Sequence, residues 1–194
     1  TEWEWSDDGL TLTMKLRDGI TFDDGTKFDA DAAVVNLNHL KDGVRSQEAY
    51  VNVDSIEKVD DMTIQINMKQ KDDAFLYFLG IGRSWMTSPK AIEADDFAQP
   101  QGSGPYIYDA AASTPQSEYH FHKRDGYWDD ATFPFQNVTL FPIFDGTAGL
   151  NAMLAGQVDM IYGSTTDIQT ARDNGWNIFQ GIATWAGIQF ADFN

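Results

Sequence analysis

The 194-residue sequence is strongly acidic, with 30 Asp and Glu residues against 13 Lys and Arg and a formal net charge of -17 at pH 7. This charge argues against binding to a nucleic-acid backbone or an anionic membrane surface, because both interactions depend on Lys and Arg. The absence of cysteine excludes disulfides and thiolate metal sites. A hydrophobic content of 42% is sufficient for a buried core in one or two domains.

The first forty residues predict a strand, two tight turns and a helix. Apolar and polar residues alternate over residues 10–16, which is the period of a half-buried strand. The Asp-Gly pairs that end at Gly19 and Gly25 are typical of tight turns. Asp29 suits a helix N-cap, and an apolar face follows, so we expect a helix that packs on the strand. That face consists of Ala33, Val34, Leu37 and Leu40.

The middle of the chain predicts short elements that lead to a domain boundary. Gln, Pro, Gly and Ser accumulate over residues 97–104, and this linker-like composition places the boundary near Gln101. The predicted elements before it are a hairpin turn at Asp60-Asp61, a strand over residues 63–68, a helix over residues 73–79 capped by Asp73, and a helix that starts at Pro89.

The second half of the chain predicts a small mixed sheet, followed by alternating helices and strands. Turn residues separate the apolar segments, and no internal repeat is present. The predicted strands are residues 106–108, 119–122, 138–141, 158–162 and 178–190, and the predicted helices are residues 147–154 and 167–173.

Two groups of polar residues could have either a catalytic or metal-binding role or a purely structural one. His120 and His122 share one face of a predicted strand, as in zinc sites, but no third ligand is evident, which favours a polar strand face. Six Asp-Asp pairs could belong to a carbohydrate-active hydrolase or to a calcium-binding adhesion domain. Most lie beside Gly or just before a predicted element, which favours turns and caps. The pairs begin at Asp7, Asp23, Asp60, Asp72, Asp95 and Asp129.

The loop Arg83-Ser84-Trp85 is the strongest candidate binding site in the sequence. A cation and an indole in a glycine-flanked loop could hold a carboxylate and stack on a flat ligand. The alternative is a surface loop whose indole is packed in the core. The sequence contains no G-x-S-x-G elbow, P-loop or cysteine nucleophile, and no enzyme is predicted.

Several ordered motifs resemble the family 5 extracellular solute-binding proteins of peptide and nickel ABC transporters. Residues 5–32 are similar to the family's signature strand, turn and helix, and residues 28–37 and 160–163 are closest to the nickel-type branch. The remaining motifs are VDDMTIQINM at 59–68, GSGPY at 102–106, KRDGYW at 123–128 and AGQVD at 155–159.

The resemblance implies an α/β (mixed α+β) fold that is part of a bilobal, type II-like periplasmic-binding-protein architecture. Two subdomains of lobe one, with mixed sheets and flanking helices, are expected at residues 1–101 and 102–194, with the second lobe absent. The implied function is capture of a peptide, or of a chelated metal such as nickel, for delivery to a membrane permease. No enzymatic activity and no cofactor are implied.

By position, the resemblance implies that Tyr50, Arg83 and Trp85 contact the ligand. It implies no metal ligand. We expect Ala at Tyr50 or Arg83 to weaken ligand binding while lowering stability by no more than about 1 kcal/mol, as for surface changes. The implied partners are the ligand and an ABC permease, with no nucleic acid, and the protein is expected to be a monomer. The implied location is extracellular or periplasmic, with lipid anchoring to the cell membrane as one mode.

Overall fold

A computed structural model describes residues 2–44, 46–81 and 84–179 of the chain. The chain divides into two compact units, Thr1–Leu140 and Phe141–Asn194. Among the described residues, the first unit contains two β-sheets and the second contains two α-helices. The predicted boundary near Gln101 falls between the two sheets of the first unit and stays a prediction.

The first sheet has four strands in the order β1-β2-β4-β3, and every neighbouring pair is antiparallel. The alternation predicted for β2 and β4 is confirmed, because Leu12 and Ile66 are neighbours in register and fully buried. The turn at Asp60 is also confirmed, since its carboxylate accepts a 2.8 Å hydrogen bond from the Met62 N–H. The strands are β1 Glu2–Trp5, β2 Thr11–Lys15, β3 Val53–Asp60 and β4 Thr63–Met68.

Helix α1, Ala30–Asp42, packs on this sheet. Asp29 caps it as predicted, because its carboxylate accepts a 3.0 Å hydrogen bond from the Ala32 N–H. The preceding turns contain Gly19 and Gly25 at φ +77° and +79°, where any side chain would be strained. The helix lies mainly across β3 and β4, and Leu12 of β2 belongs to the same buried cluster as Ala33 and Leu37.

The core of this region lies between α1 and the first sheet. Each fully buried Leu, Ile or Phe side chain contributes about 1.5–3 kcal/mol of transfer free energy. The apolar face predicted for α1 is confirmed, because Ala33 and Leu37 are buried and Val34 and Leu40 pack against them. The largest buried apolar side chains are Tyr50, Phe22, Phe75, Leu12, Leu37, Ile64, Ile66 and Val53.

Two short helices follow the first sheet. The predicted start at Pro89 is confirmed, but the predicted cap at Asp73 is wrong. The Asp72 carboxylate accepts a 3.0 Å hydrogen bond from the Ala74 N–H, so the turn before the helix uses the first Asp of the pair. The helices are α2 Phe75–Gly80 and α3 Pro89–Glu93.

The second sheet has the strand order β5-β6-β7. Its three predicted strands are confirmed, but both pairings are antiparallel, so the described sheet is not mixed. A short turn joins β5 to β6, and short connections of this kind permit only antiparallel pairing. The strands are β5 Tyr106–Thr114, β6 Glu118–Lys123 and β7 Asn137–Leu140.

The second unit contains helices α4, Gly146–Leu154, and α5, Ile168–Asp173, where helices were predicted. The strand predicted over residues 158–162 is wrong. These residues form no ladder in the described chain, and the side chains of Met160 and Tyr162 are exposed. An apolar run becomes a strand only when another strand pairs with it. The strand predicted over residues 178–190 lies almost entirely outside the described residues.

Candidate functional site

The Asp-Asp pairs have a structural role in every case in which their contacts are described. In five of the six pairs, one carboxylate accepts a hydrogen bond from the backbone N–H two residues later, which is the geometry of an Asx turn. These N–H···O distances lie between 2.8 and 3.1 Å. The turn interpretation is therefore confirmed for these pairs. The accepting residues are Asp8, Asp24, Asp60, Asp72 and Asp96.

The two strand histidines lie on one face of β6, as predicted. The His120 ring is held by neighbours on the sheet, with Nδ1 3.1 Å from the Thr139 hydroxyl and Nε2 3.5 Å from the Glu118 carboxylate. Within residues 2–44, 46–81 and 84–179, no group of three or more His, Asp or Glu side chains could hold a metal ion.

Over the same residues, no helix is long and apolar enough to cross a membrane.

Tyr50 lies at the end of a 3-10 turn formed by residues Gln47–Tyr50. Its ring is 2% exposed and packs edge-to-face on Phe75, with 5.9 Å between the ring centroids. Burial raises the pKa of the Tyr50 hydroxyl to about 12, because the phenolate would lose its hydration. Tyr50 is therefore neutral at physiological pH and can act there only as a neutral hydrogen-bonding group.

An open surface cavity of about 530 Å³ lies beside Tyr50, in the first unit. It combines an aromatic group with side chains of both charge signs. The Lys41 and Lys69 ammonium groups bond nearby, to the Asp42 carboxylate at 3.2 Å and the Val51 carbonyl at 3.3 Å. The arrangement can offer cations to a carboxylate and apolar contact to an aliphatic group. The described residues that line it are Lys41, Asp42, Val44, Gln47, Glu48, Tyr50, Val51, Val53 and Lys69.

Trp85 is 82% exposed, so the alternative in which its indole packs in the core is wrong. Its neighbours hold the chain on each side. The Ser84 hydroxyl donates to the Leu79 carbonyl, and the Thr87 backbone is bound by the side chain of Asn36. Trp85 is not among the residues that line the cavity beside Tyr50. Arg83, the third predicted site residue, lies outside the described residues.

Sequence reasoning missed the two lysines that line the cavity. Lys41 lies in the last turn of α1, and Lys69 directly follows β4. Both positions are common for lysines without any ligand, so the sequence carries no signal that would single them out. Their relation to Tyr50 follows only from the packing of α1 on the sheet.

Comparison with known proteins identifies the family. The model of bacterial extracellular solute-binding proteins, family 5 (middle), matches residues 1–190. The chain belongs to this family. The glutathione-binding protein GsiB of Escherichia coli strain K12 is 32% identical over 163 residues, which cover 81% of this chain and 31% of that protein. The chain thus spans about a third of the length of the curated relatives it matches.

Solved structures are similar to the family 5 chain over most of its length. An ABC transporter substrate-binding protein from Sinorhizobium meliloti is 30% identical with a TM-score of 0.79, covering 91% of this chain and 38% of that one. NikA from Brucella suis, in complex with Fe(III)-EDTA, is 27% identical with a TM-score of 0.75. The match covers 90% of this chain and 37% of NikA. The predicted family and fold class are confirmed.

Three of the family motifs meet in one largely buried polar contact of the family 5 chain, which we call the clasp and define as Asp23, Gly102, Gly104 and Arg124. Asp23 and Arg124 form an ion pair, and their side chains are 11% and 15% exposed. The Gly102 N–H donates to the Asp23 carboxylate at 3.1 Å, and Arg124 Nε donates to the Gly104 carbonyl at 2.7 Å. The linker-like segment, residues 97–104, is therefore held in place at its C-terminal end.

A second contact near the clasp predicts a pH dependence. Burial opposes ionisation of Asp24, but hydrogen bonds from Ser88 and Thr26 outweigh it and hold the pKa of that carboxyl below its ordinary value. A carboxyl with a lowered pKa in the folded state adds stability that is present above about pH 4 and is lost as the pH falls through the folded-state pKa. We therefore expect acid to destabilise the protein partly through Asp24.

Chemical denaturation between pH 7 and pH 2.5 checks this expectation. Asp24→Asn should reduce the loss of unfolding free energy below pH 4, and Ser88→Ala should reduce it in the same way because the main donor is removed. Identical pH profiles for the wild type and both variants would contradict the role of Asp24.

Proposed function

We propose that this chain belongs to the solute-binding component of an ABC importer, which captures a peptide or a chelated metal such as nickel and delivers it to a membrane permease. The family match over residues 1–190 carries the proposal. GsiB is a glutathione-binding protein, and NikA carries Fe(III)-EDTA. Glutathione, other short peptides and metal chelates therefore define the ligand classes to test. The protein binds without catalysing a reaction.

The proposal includes the organisation of the complete protein. Residues 1–101 and 102–194 form two subdomains of lobe one, and a second lobe closes over the ligand. The protein acts as a monomer outside the cytoplasmic membrane, in an extracellular or periplasmic location, with a lipid anchor as one mode of attachment. It needs no cofactor, and its partners are the ligand and the permease.

We assign ligand contacts to Tyr50, Arg83 and Trp85. The cavity beside Tyr50 supports the first assignment, because Lys41 and Lys69 line it and the largely buried Tyr50 side chain forms part of its wall. Lysine ammonium groups attract the carboxylates that peptides and amino-acid chelates share. The exposure of Trp85 supports the third assignment, since a solvent-facing indole can stack on a ligand. Arg83 is assigned on the resemblance alone.

Isothermal titration of the full reading frame that contains this chain tests the proposed function. The titrants are reduced glutathione, the dipeptide Met-Leu, a longer peptide, and nickel with L-histidine. We expect saturable heat with at least one titrant, with a dissociation constant of about 1 μM or tighter, a free energy of about -8 kcal/mol. Absence of heat with all four would contradict the proposal.

Trp85→Ala and Trp3→Ala form a matched pair for that titration. Both indoles are largely exposed, but only Trp85 is assigned to the ligand. We expect Trp85→Ala to weaken binding by about tenfold, or 1.4 kcal/mol, and Trp3→Ala to leave it unchanged. Equal effects of the two substitutions would argue that neither indole is specific to the site.

A further inference from the structure

The Trp85 side chain is exposed, although its neighbours in the loop are anchored. Trp85 is 82% exposed, whereas Met86 packs against the core and Ser88 is fully buried. Ser88 is held independently of the loop, by its N–H to the Gln101 carbonyl at 2.9 Å and its hydroxyl to Asp24 at 2.6 Å. The position of the indole therefore depends on what fixes the chain between Trp85 and Ser88.

Asn36 on α1 supplies the main contact, beside a 3.3 Å hydrogen bond from the Thr87 hydroxyl to the Gln101 carbonyl. The Asn36 side chain is 2% exposed, and its amide binds both backbone groups of Thr87. Nδ2 donates to the Thr87 carbonyl at 2.9 Å, and Oδ1 accepts from the Thr87 N–H at 2.8 Å. The second Nδ2 proton is directed to the Ala32 carbonyl, at 2.9 Å. Only a carboxamide can donate and accept in this way, because aspartate lacks the donor and aliphatic side chains lack both groups.

The helix itself gives no reason for asparagine at this position. Asn36 lies on the buried face of α1, next to Leu37, where an apolar residue would pack without a desolvation cost. Asparagine is also a weaker helix former than alanine or leucine, by about 0.5 kcal/mol. Its hydrogen bond to Ala32 is local to the helix, so its contact with Thr87 is what connects α1 to the loop.

We infer that Asn36 is a positioning residue for the ligand site: by binding both backbone groups of Thr87, it fixes the backbone that presents the Trp85 indole to the ligand. This inference rests on the proposed ligand-binding role of Trp85. A preorganised loop backbone loses little conformational entropy when the ligand arrives, and this is how a buried residue can raise affinity without touching the ligand.

Fluorine NMR of protein labelled with fluorotryptophan tests the anchor without any ligand. The signal of Trp85 is assigned by its loss in Trp85→Phe. In Asn36→Asp, the carboxylate repels the carbonyls of Thr87 and Ala32, so we expect the Trp85 signal to shift or broaden. The control is Asn38→Asp, because within the described part of the chain the Asn38 side chain bonds to the Val34 carbonyl at 3.0 Å, in the same helix. An unchanged Trp85 signal in a folded Asn36→Asp protein would overturn the inference.

A double-substitution experiment then separates positioning from a general structural effect. Whichever of the four titrants binds serves as the probe, and we expect Asn36→Asp to weaken it by about tenfold. In the Trp85→Ala background, the same substitution should change affinity much less, because the group it positions is gone. An equal loss in both backgrounds would overturn the inference. Asn36→Ala, which favours the helix, replaces Asn36→Asp if the latter does not fold.

The proposed function and the positioning role of Asn36 can be contradicted independently of each other. If no titrant binds but the Trp85 signal moves in Asn36→Asp alone, the anchor stands and the proposed function fails. If a titrant binds and the Trp85 signal does not respond, the proposed function stands and the positioning role of Asn36 fails.

Discussion

Replacing Arg124 by methionine is expected to lower the free energy of unfolding by about 3 kcal/mol, the lower end of the range for breaking a buried ion pair. The Asp23 carboxylate would stay 11% exposed without its cation, and the Gly104 carbonyl would lose the Nε donor. Methionine fills much of the same volume, so the loss reports the polar contact rather than a cavity. Urea denaturation of the wild type and the variant measures the difference.

Arg17→Met is the matched control for Arg124→Met. The Arg17 guanidinium stacks on the exposed Trp128 ring, 3.9 Å from its centroid, and such a contact contributes about 0.5–1 kcal/mol. The double variant Asp23→Asn with Arg124→Met should recover part of the stability, because no unpaired charge is left. Similar losses for Arg17→Met and Arg124→Met would contradict the clasp as a stabilising contact.

Replacing Tyr50 by alanine is expected to lower the free energy of unfolding by about 3–5 kcal/mol, the usual cost of truncating a buried aromatic residue. The ring is 2% exposed and supports Phe75, so its loss leaves a cavity in the core. This corrects the expectation from sequence that Tyr50→Ala costs no more than about 1 kcal/mol. Thermal unfolding followed by circular dichroism provides the measurement.

Tyr77→Ala serves as the control for Tyr50→Ala, because Tyr77 is 67% exposed and should cost less than about 1 kcal/mol. The burial of Tyr50 also changes how its ligand role is tested. Tyr50→Phe keeps the packing and removes only the hydroxyl, so a loss of affinity in this variant would belong to the site. A loss of less than 1 kcal/mol for Tyr50→Ala would show that its ring does not support the core.

The elements that sequence predicted well are those with local causes. The β2 strand follows from its own alternation, the turns from Gly19 and Gly25, and the start of α1 from the Asp29 cap. The prediction failed at residues 158–162, where the outcome depends on whether another strand is available for pairing. It also failed at Asp73, because two adjacent aspartates compete for one turn and only geometry selects Asp72.

The candidate site could be predicted only in part, for a similar reason. The exposed loop at Trp85 could be recognised from its glycines and residue types. The cavity could not, because Lys41, Tyr50 and Lys69 come from a helix end, a 3-10 turn and a strand end that meet only after packing. The role of Asn36 could not be predicted either, because its partner Thr87 lies 51 residues away in the sequence.

The clasp also has a consequence for the order of folding. Asp23 and Arg124 are 101 residues apart, whereas β3 and β4 are joined by a two-residue turn. Closing so long a loop costs more chain entropy than closing a hairpin, so contacts of this kind tend to form late. During synthesis, α1 and its sheet can assemble before Arg124 has left the ribosome. We therefore expect the clasp to form late and to slow unfolding more than it speeds folding.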